Sequence, residues 1–297
     1  MRDAFIDTIF ARAKKDKDIV FVSADFGAKA LDAFRVELPG QFIHAGISEQ
    51  HMVDFAAGLA LSGRRVFLYA MAPFITLRCI EQIKSVLVSM NLPVTLIGVG
   101  VGLGYDHATL THFTPEDVAC MRAMNHLEVW SPADAEGALH VAELCLDDPR
   151  LRYIRLERQG MPALYQGRFA PKDGFLEVRR GTDVALVACG YMTHKALRAA
   201  EQLGAGTGVI DLFRIKPIDQ RLVDVLSRYQ RVVTVEEQLL QGGFGSAVLE
   251  VLNDRGVNRP LRRVGMRDGF DVVNGDRDHL HALYGIDVPD IIRAAAG

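Results

Sequence analysis

The sequence predicts an α/β protein with two doubly wound domains, each built on a mostly parallel sheet. Short apolar runs rich in valine and isoleucine alternate with segments of helical spacing along most of the chain. This alternation is typical of a parallel sheet covered by helices on both faces. A stretch over residues 160–180 contains Pro162, Pro171 and three glycines, and such a composition indicates a linker between the two domains.

Length and composition exclude several classes of function. The 297 residues are enough for two domains, and a formal net charge of −3 gives no basic field for nucleic acid. No apolar run approaches about 18 residues, and the start Met1-Arg2-Asp3 lacks a secretory pattern, so we expect no membrane partner. The four cysteines are widely spaced without a CxxC pair, which favours a reducing cytoplasm over disulfides or zinc. They are Cys79, Cys120, Cys145 and Cys189.

The first domain is predicted over residues 1–160. It begins with an amphipathic helix at 3–15, and a later helix should run from about Pro73, a tolerated first-turn position, to about Met90. Helix starts with prolines follow at Thr114-Pro115 and Ser131-Pro132. The strands are short apolar runs, and we place them at 19–23, 41–44, 66–70, 94–99, 127–130 and 152–156.

The second domain is predicted over residues 181–297, after a linker at 161–180 that could hold one hairpin. Its elements again alternate, with strands that are apolar runs of about five residues. We place the strands at 184–188, 208–212 and 231–235, and the helices at 192–203, 217–228, 243–255 and 287–295.

The stretch 44–61 predicts a helix that begins after Ser48 as N-cap, with Glu49 in its first turn. From Met52 to Leu61 only Asp54 is polar, so the helix should be apolar nearly all round and buried. The carboxylate at its start has two explanations. It either answers the positive end of the helix dipole, or it is a partly desolvated acid that is held there to exchange a proton.

The amino-acid sequence of this stretch resembles a motif of a known family. Gly46-Ile47-Ser48-Glu49-Gln50-His51-Met52, followed by a helix of small residues, resembles the pyrimidine-binding domain of thiamine-diphosphate enzymes of the transketolase and 1-deoxyxylulose-5-phosphate synthase type. The resemblance implies that Glu49 contacts N1′ of the aminopyrimidine and promotes the imino tautomer that deprotonates the thiazolium C2. Such a role requires a carboxyl group in a dry pocket, because in water it would be too acidic.

The resemblance covers the whole chain and implies further cofactor contacts. Ser23-Ala24-Asp25 matches the family's acidic turn after the first strand, so Asp25 is expected at the cofactor. Phe74 matches the aromatic residue that stacks on the aminopyrimidine, and Arg78 lies four residues later. From the residues alone, Phe74 could equally belong to the core.

The resemblance also implies a substrate end. Thr111-His112 matches the family's Thr-His pair, whose histidine lines the substrate funnel near the thiazolium, so His112 is expected to be catalytic. The segment 155–162 resembles the part of transketolase whose arginine grips a sugar phosphate, and Arg158 is the candidate. A guanidinium suits phosphate because its planar fork bonds two oxygens at once. The alternative for Arg158 is a solvated side chain at a domain edge.

Two departures from the family concern the substrate. In transketolases, another histidine and an Asp-Gly precede the Thr-His pair. When this chain is aligned without gaps, Gly100 and Ala108 occupy those positions. Asp106 and His107 can substitute only if the loop bends differently, and His107 is otherwise an exposed loop histidine. The family's glutamine or histidine after the pair is Phe113. The substrates are therefore not the standard pentose phosphate pair, or they are held differently.

The second domain resembles the family's C-terminal domain. It carries Glu236-Glu237 at the end of an apolar run, followed by the glycines of 242–245. We expect these residues to be structural or at a subunit contact.

What the chain lacks implies a partner. Full-length transketolases hold the diphosphate through Mg²⁺ with a Gly-Asp-Gly…Asn motif, which is absent here, and we expect no metal ligand in this chain. The resemblance implies an N-terminal-type transketolase subunit that carries Mg²⁺ and the diphosphate. An α₂β₂ heterotetramer is expected, in which two copies of this chain touch through the Glu49 helix.

The sequence thus predicts the C-terminal, beta-type subunit of a heteromeric thiamine-diphosphate-dependent transketolase. It would transfer a ketol unit from a ketose phosphate donor to an aldose phosphate acceptor. The alternatives are a 1-deoxyxylulose-5-phosphate synthase-like subunit, a 2-oxoacid dehydrogenase beta-type subunit, and a non-catalytic scaffold. The joint presence of Glu49, Phe74 and His112 argues against a scaffold.

Overall fold

A computed structural model describes residues 1–24, 27–269 and 273–297. Strands and helices alternate along most of it. The strands are β1 Ile19–Ser23, β2 Phe42–His44, β3 Arg65–Met71, β4 Val94–Val99, β5 Glu128–Trp130, β6 Arg152–Leu156, β7 Leu176–Arg179, β8 Val184–Ala188, β9 Thr207–Asp211, β10 Arg214–Lys216, β11 Arg231–Leu239 and β12 Leu261–Met266.

The helices cover both faces of the sheets, and the longest have 12 or 13 residues. They are α1 Arg2–Ala13, α2 Asp32–Glu37, α3 Glu49–Leu61, α4 Ala72–Ile75, α5 Ile80–Gln82, α6 Asp117–Arg122, α7 Ala135–Asp147, α8 Tyr191–Leu203, α9 Arg221–Leu226, α10 Phe244–Asp254, α11 Arg277–Tyr284 and α12 Val288–Ala296. Among the described residues, no helix has both the length and the apolar character needed to cross a membrane.

The strands form two sheets. The first has the order β10-β5-β6-β4-β3-β1-β2, and the second has the order β12-β11-β8-β9-β7. All pairs are parallel except β10 with β5 and β7 with β9. Strands β1, β4, β6, β8 and β9 are buried along their whole length, as is typical of a mostly parallel sheet covered on both faces. The prediction of two mostly parallel α/β sheets is confirmed.

The two sheets share one apolar cluster. Leu68 of β3 and Met52 of α3 belong to the same set of packed side chains as Val187 of β8 and Ile210 of β9. The halves of the chain are also joined by β10, which comes from the second half in sequence and pairs with β5 of the first sheet, Arg214 opposite Trp130. The sequence did not predict β10, because three residues are too short for a clear apolar pattern.

The long helix expected at 73–90 is wrong. The segment is broken into α4, a 3₁₀ turn at Leu77–Cys79, α5 and a π-helical stretch at Ile83–Val88. The break lies at Thr76, whose backbone departs from helical angles (φ −105°, ψ −83°) and whose hydroxyl donates to the Ala72 carbonyl at 2.6 Å. Such a hydroxyl bond to the preceding turn competes with regular helix geometry.

Two other expectations need correction. Within residues 161–180, all described, no hairpin forms; β7 pairs instead with β9 of the second sheet. Helix α3 is buried on one face only, through Met52, Val53 and others. Its other face is open in the single chain and mixes polar side chains with Phe55, 39% exposed, and Leu61, 65% exposed. Helices α2 and α11 and strand β12 were not predicted from the sequence.

Candidate active site

The candidate site lies where α3 begins, at the end of the first sheet to which the parallel strands run. Ser48 occupies the N-cap position, but its hydroxyl donates to the Ala45 carbonyl at 2.6 Å and makes no capping bond. Glu49 is the first helical residue and only 3% exposed. The strand–turn–helix connection therefore buries a carboxylate at a helix N-terminus, where the aligned N–H groups favour negative charge.

Glu49 is paired within the chain. The Nη1 of Arg78 donates to Oε2 of Glu49 at 2.6 Å, a short charge-assisted bond. The same guanidinium lies over the ring of Phe74, with Cζ 4.1 Å from the centroid. The broken helix at 72–88 thus presents both Phe74 and Arg78 towards Glu49. The other carboxylate oxygen, Oε1, has no hydrogen-bond partner among the described residues, so it is available to a ligand.

His112 extends the cluster from Phe74. The two rings pack edge to face with centroids 5.4 Å apart, a favourable arrangement for aromatic pairs. Nδ1 of His112 lies 2.9 Å from the Thr111 hydroxyl. This bond involves only one ring nitrogen and restrains the orientation of the imidazole.

Tyr105 links His112 to Arg158. Its ring centroid lies 5.7 Å from that of His112, and the guanidinium carbon of the exposed Arg158 lies 5.2 Å from the Tyr105 centroid. The structure therefore brings the predicted residues Glu49, Arg78, Phe74, His112 and Arg158 into one continuous row of contacts.

Sequence reasoning missed Tyr105, although one signal was present. Gly100, which stands where the family has a histidine, has a left-handed φ of +73°, and a side-chain carbon there would lie 2.0 Å from the Tyr105 ring. Only glycine leaves both the conformation and the space. The tyrosine ring thus fills the space that a side chain at position 100 would need.

The other predicted substrate residues lie outside this row. Asp106 accepts a hydrogen bond from the His107 backbone N–H at 2.8 Å, and Nδ1 of the exposed His107 lies 3.3 Å from Asn274 Oδ1. Phe113 is buried with Leu103 in the core of the second sheet. It therefore does not replace the family's polar residue in the funnel. Asp25 falls outside the described residues.

Burial separates the two arginines of the segment 155–162. Nε of Arg155 donates to Asp117 at 2.8 Å and its Nη1 donates to Ser131 at 2.9 Å, in a fully buried cluster. Burial also raises the pKa of the neighbouring Tyr153, which donates to Asp117. Arg155 is therefore structural, and Arg158 is the arginine of this pair that a ligand can reach.

Cys79 lies beneath the row and is no nucleophile. Burial and the nearby Glu49 charge raise the pKa of its thiol to about 12, and its Sγ lies 3.1 Å from the Phe74 carbonyl oxygen. The thiol therefore stays protonated at neutral pH. Across the described ranges, no group of three or more histidine, cysteine, aspartate or glutamate side chains is arranged to hold a metal ion.

The fold and the row of residues define a class of protein. The donor set suits an aminopyrimidine, with a buried carboxylate for a ring nitrogen next to an aromatic face. Family models agree with this assignment. The model described as transketolase, pyrimidine binding domain, matches residues 1–163, and the model described as transketolase, C-terminal domain, matches residues 175–291. The chain belongs to the transketolase family.

Relatives place the chain more closely. It is 34% identical to one of the subunits of apulose-4-phosphate transketolase from Phocaeicola vulgatus, over 99% of this chain and 96% of that protein. It is 35% identical to 1-deoxy-D-xylulose-5-phosphate synthase from Nitratidesulfovibrio vulgaris, over 96% of this chain but only 46% of that enzyme. A solved structure described as a split gene transketolase, inactive beta4 tetramer, superposes with a TM-score of 0.88 at 31% identity, covering 99% and 96% of the two chains.

These matches confirm the predicted family and the predicted class, a transketolase-type transferase. Thiamine diphosphate dependence follows from the family. The chain spans nearly the whole of the split relatives and under half of the synthase, so it corresponds to the beta-type subunit of a split transketolase.

Proposed function

We propose that this chain is the beta-type subunit of a heteromeric transketolase that moves a ketol unit from a ketose phosphate to an aldose phosphate. One observation carries the proposal: the unbroken row from Glu49 through Phe74 and His112 to Arg158. The row joins Glu49, an acid suited to proton exchange, to Arg158, a cation suited to phosphate binding, at one end of the first sheet.

The cofactor end consists of Glu49, Phe74 and Arg78. Thiamine diphosphate, when bound, supplies the electron sink for carbon–carbon bond cleavage. Glu49 would hold and return a proton at the aminopyrimidine N1′, and Phe74 would orient the ring by stacking. Because Arg78 bonds Glu49 and covers Phe74 at 4.1 Å, its guanidinium must shift when the pyrimidine takes this place. From the shifted position it would still counter the Glu49 charge.

The substrate end consists of His112, Tyr105 and Arg158. His112, fixed by Thr111, would hydrogen-bond the hydroxyls of a sugar near the reacting carbon. Arg158 is exposed and stacked on Tyr105, so it would bind a phosphate at the far end of the substrate. Asp106 and His107 lie at the rim of this end, and a longer substrate would reach them.

We infer that the partner is an N-terminal-type transketolase subunit that holds Mg²⁺ and the diphosphate, in an α₂β₂ heterotetramer. Exposed apolar side chains on α3, which begins at Glu49, support this inference, because such side chains beside a site are typical of an interface. They are Phe55 and Leu61, and Ile47, 73% exposed, lies in the turn just before the helix. The solved relative described as an inactive beta4 tetramer supports self-contact between copies of this chain.

Two smaller proposals complete the assignment. The sequence places the domains at 1–160 and 181–297 with a linker at 161–180; we propose that the second domain begins earlier, near residue 175, because β7 pairs with β9 and the family-model matches end at 163 and resume at 175. We also propose a cytoplasmic location, since all four cysteines are free and three are buried.

A second candidate function is a 1-deoxyxylulose-5-phosphate synthase-like activity on pyruvate. It is favoured by the 35% identity to such a synthase and by Gly100, which stands in place of the transketolase histidine.

Reconstitution with the partner subunit separates the two functions. The complex, supplied with thiamine diphosphate and Mg²⁺, is assayed with a ketose phosphate and an aldose phosphate, and in parallel with pyruvate and an aldose phosphate. We expect ketol transfer without release of carbon dioxide. Carbon dioxide released from pyruvate would favour the synthase-like candidate, and turnover of neither pair would contradict both.

A further inference from the structure

A second group of charges lies buried behind the site, where the two sheets meet. Arg277 is the first residue of α11, and its Nη1 donates to Glu157 Oε2 at 2.7 Å while its Nε donates to Glu237 Oε1 at 2.6 Å. Glu157 follows β6 of the first sheet, and Glu237 belongs to β11 of the second. All three residues are at most 5% exposed. One guanidinium therefore joins the two halves of the chain.

The geometry around Arg277 is closed on every side. Its Nη2 also reaches both carboxylates, at 3.0 Å from Glu157 Oε1. The Tyr191 ring lies against the guanidinium at 3.7 Å, and His281 Nε2 contacts Glu237. Only an arginine presents a planar fork that can bond two carboxylates in this way, whereas a lysine is a single point of charge.

The two carboxylates support the loop that forms the substrate end. Glu157 directly precedes Arg158. A side-chain carbon at Gly102, where φ is +59°, would lie 2.3 Å from Glu237 Oε2, and one at Gly104 would lie 3.3 Å from Glu157 Oε2. The glycine-rich loop that leads to Tyr105 thus lies directly against the pair of acids that Arg277 holds.

We propose that Arg277 is a positioning residue of the site, which joins Glu157 to Glu237 and thereby fixes Arg158 and the Tyr105 loop relative to each other. The second sheet then sets the place where the anionic end of a sugar phosphate is bound, without touching the substrate. This inference rests on the proposed function, because it assigns phosphate binding to Arg158.

The first test is Arg277→Lys in the full chain, assayed in the reconstituted complex. Misplacement of a binding group by about 1 Å can cost about 100-fold, so we expect the KM of the phosphorylated donor to rise by about 10- to 100-fold. The kcat should fall by less than about threefold, and the cofactor affinity should stay unchanged, because Glu49 and Phe74 lie on other elements. Glu157→Gln keeps the shape of the side chain and removes its charge, and it should also raise the KM of the phosphorylated donor. It replaces Arg277→Lys in this test if that variant does not fold.

Lys195 provides the matched control. It is equally buried, in α8, and its Nζ pairs with Asp278, the residue after Arg277, and with Asp287 at 2.7 and 2.5 Å, and neither contact involves Glu157 or Glu237. Lys195→Arg or Lys195→Met disturbs a buried ion cluster of the same half of the chain. We expect either variant to keep the wild-type KM. An equal KM rise in a Lys195 variant would overturn the proposal, since the effect would then be general destabilisation.

A second measurement does not depend on turnover. Hydrogen–deuterium exchange over residues 99–113 should be faster in Arg277→Lys than in the wild-type chain, and unchanged in the Lys195 variants. Unchanged exchange, or faster exchange with a wild-type KM, would overturn the proposal. If the wild-type complex shows no turnover, the proposed function fails. Inorganic phosphate then decides the inference: slower exchange at 157–160 in the wild type but not in Arg277→Lys supports it, and equal behaviour overturns it.

Discussion

At the scale of single residues, the acid at the start of α3 has the most demanding role. Glu49 is buried, bonded by Arg78 through one oxygen, and open through the other. A buried carboxylate with one free oxygen can accept a hydrogen bond from a ring nitrogen once the Arg78 guanidinium has moved off the Phe74 ring. Of the two explanations that the sequence left open, this arrangement supports our proposal of a ligand-binding acid.

We predict that Glu49→Gln abolishes most activity while the fold persists. Glutamine keeps the size and a hydrogen bond to N1′ but cannot exchange the proton, so kcat of the reconstituted complex should fall by about 100-fold or more. Glu143→Gln, at an acid of α7 whose side chain is 47% exposed, is the control and should match the wild type. Full activity in Glu49→Gln would remove the acid from the mechanism.

A prediction for the substrate end concerns Gly100. An alanine there would collide with the Tyr105 ring, whereas an alanine at Gly63, which has a similar φ of +84°, has nothing within 4 Å. Both variants should lose about 1 kcal/mol of stability from backbone strain. Only Gly100→Ala should also displace Tyr105 and raise the donor KM. Equal KM values in the two variants would show that the tyrosine does not shape the funnel.

The residues predicted from the sequence differ in how well their contacts could be foreseen. The sequence motifs that resemble the family contain Glu49, Phe74, His112 and Arg158, and the fold brings these residues together. Tyr105 follows no motif. The glycine at position 100 signals a left-handed turn, but it does not show which side chain fills the space beside it.

At the scale of elements, the open face of α3 is the main finding. A helix with few polar residues was expected to be buried all round, yet one side of α3 packs on the sheet and the other faces outward. Periodicity cannot distinguish burial within a chain from burial between chains, because both remove the same apolar surface from water.

We predict that Phe55→Asp weakens self-association of this chain and its pairing with the partner. Burial of a phenylalanine side chain is worth about 1.5–3 kcal/mol, so the dissociation constant should rise by about tenfold or more. Light scattering after size-exclusion chromatography measures the effect. Leu249→Asp, on the exposed side of α10 and 44% exposed, is the control. The same weakening in both variants would mean that α3 is not the interface.

The broken segment at 72–88 shows a second limit of sequence reading. Apolar spacing and Pro73 predicted one regular helix, but the Thr76 hydroxyl bonds the preceding turn and the chain changes direction there. A regular helix would put Phe74 and Arg78 on adjacent turns of one face. The break allows the guanidinium to lie over the ring and reach Glu49 as well.

At the scale of the whole molecule, two buried acids of the second sheet make stability depend on pH. Asp211 in β9 accepts from Tyr165 at 2.7 Å and from Thr193 at 2.6 Å, and burial raises its pKa to about 7. Burial likewise raises the pKa of Glu236 to about 8. The backbone N–H groups of Phe244 and Gly245 donate to its carboxylate and act in the opposite direction, but burial outweighs them. Both acids have a higher pKa in the folded protein than in the unfolded chain. At a pH between these two pKa values, the folded protein therefore binds more protons than the unfolded chain.

We therefore predict that stability is greatest on the acid side of neutrality and falls as pH rises through about 7 to 8. The free energy of unfolding should be lower at pH 9 than at pH 6 by about 1–4 kcal/mol. Denaturant titrations at both values measure it. Asp211→Asn, which cannot ionise, should reduce the difference, and Asp224→Asn, an exposed acid in α9, should not. A larger difference in Asp211→Asn would contradict the assignment.

The sequence predicted most of the architecture because it rests on long buried strands. Strands β1, β4, β6 and β8 have the predicted bounds. For β1, β4 and β8 the reason is an apolar run between polar turns, which leaves little choice. The connections between the halves were not predictable, because Arg277, Tyr165 and β10 act over sequence distances that local patterns do not reach.

The strand β10 has a practical consequence for anyone who divides the gene. Expression of the first 163 residues alone would remove the only strand that covers the outer side of β5 within the described chain. The backbone N–H and C=O groups of β5 beside Trp130 would then be unpaired, and a strand of another molecule would be free to pair with them. A fragment cut at the family-model boundary should therefore precipitate, and one that ends soon after residue 216 would cover β5 but expose β8, which pairs with β11.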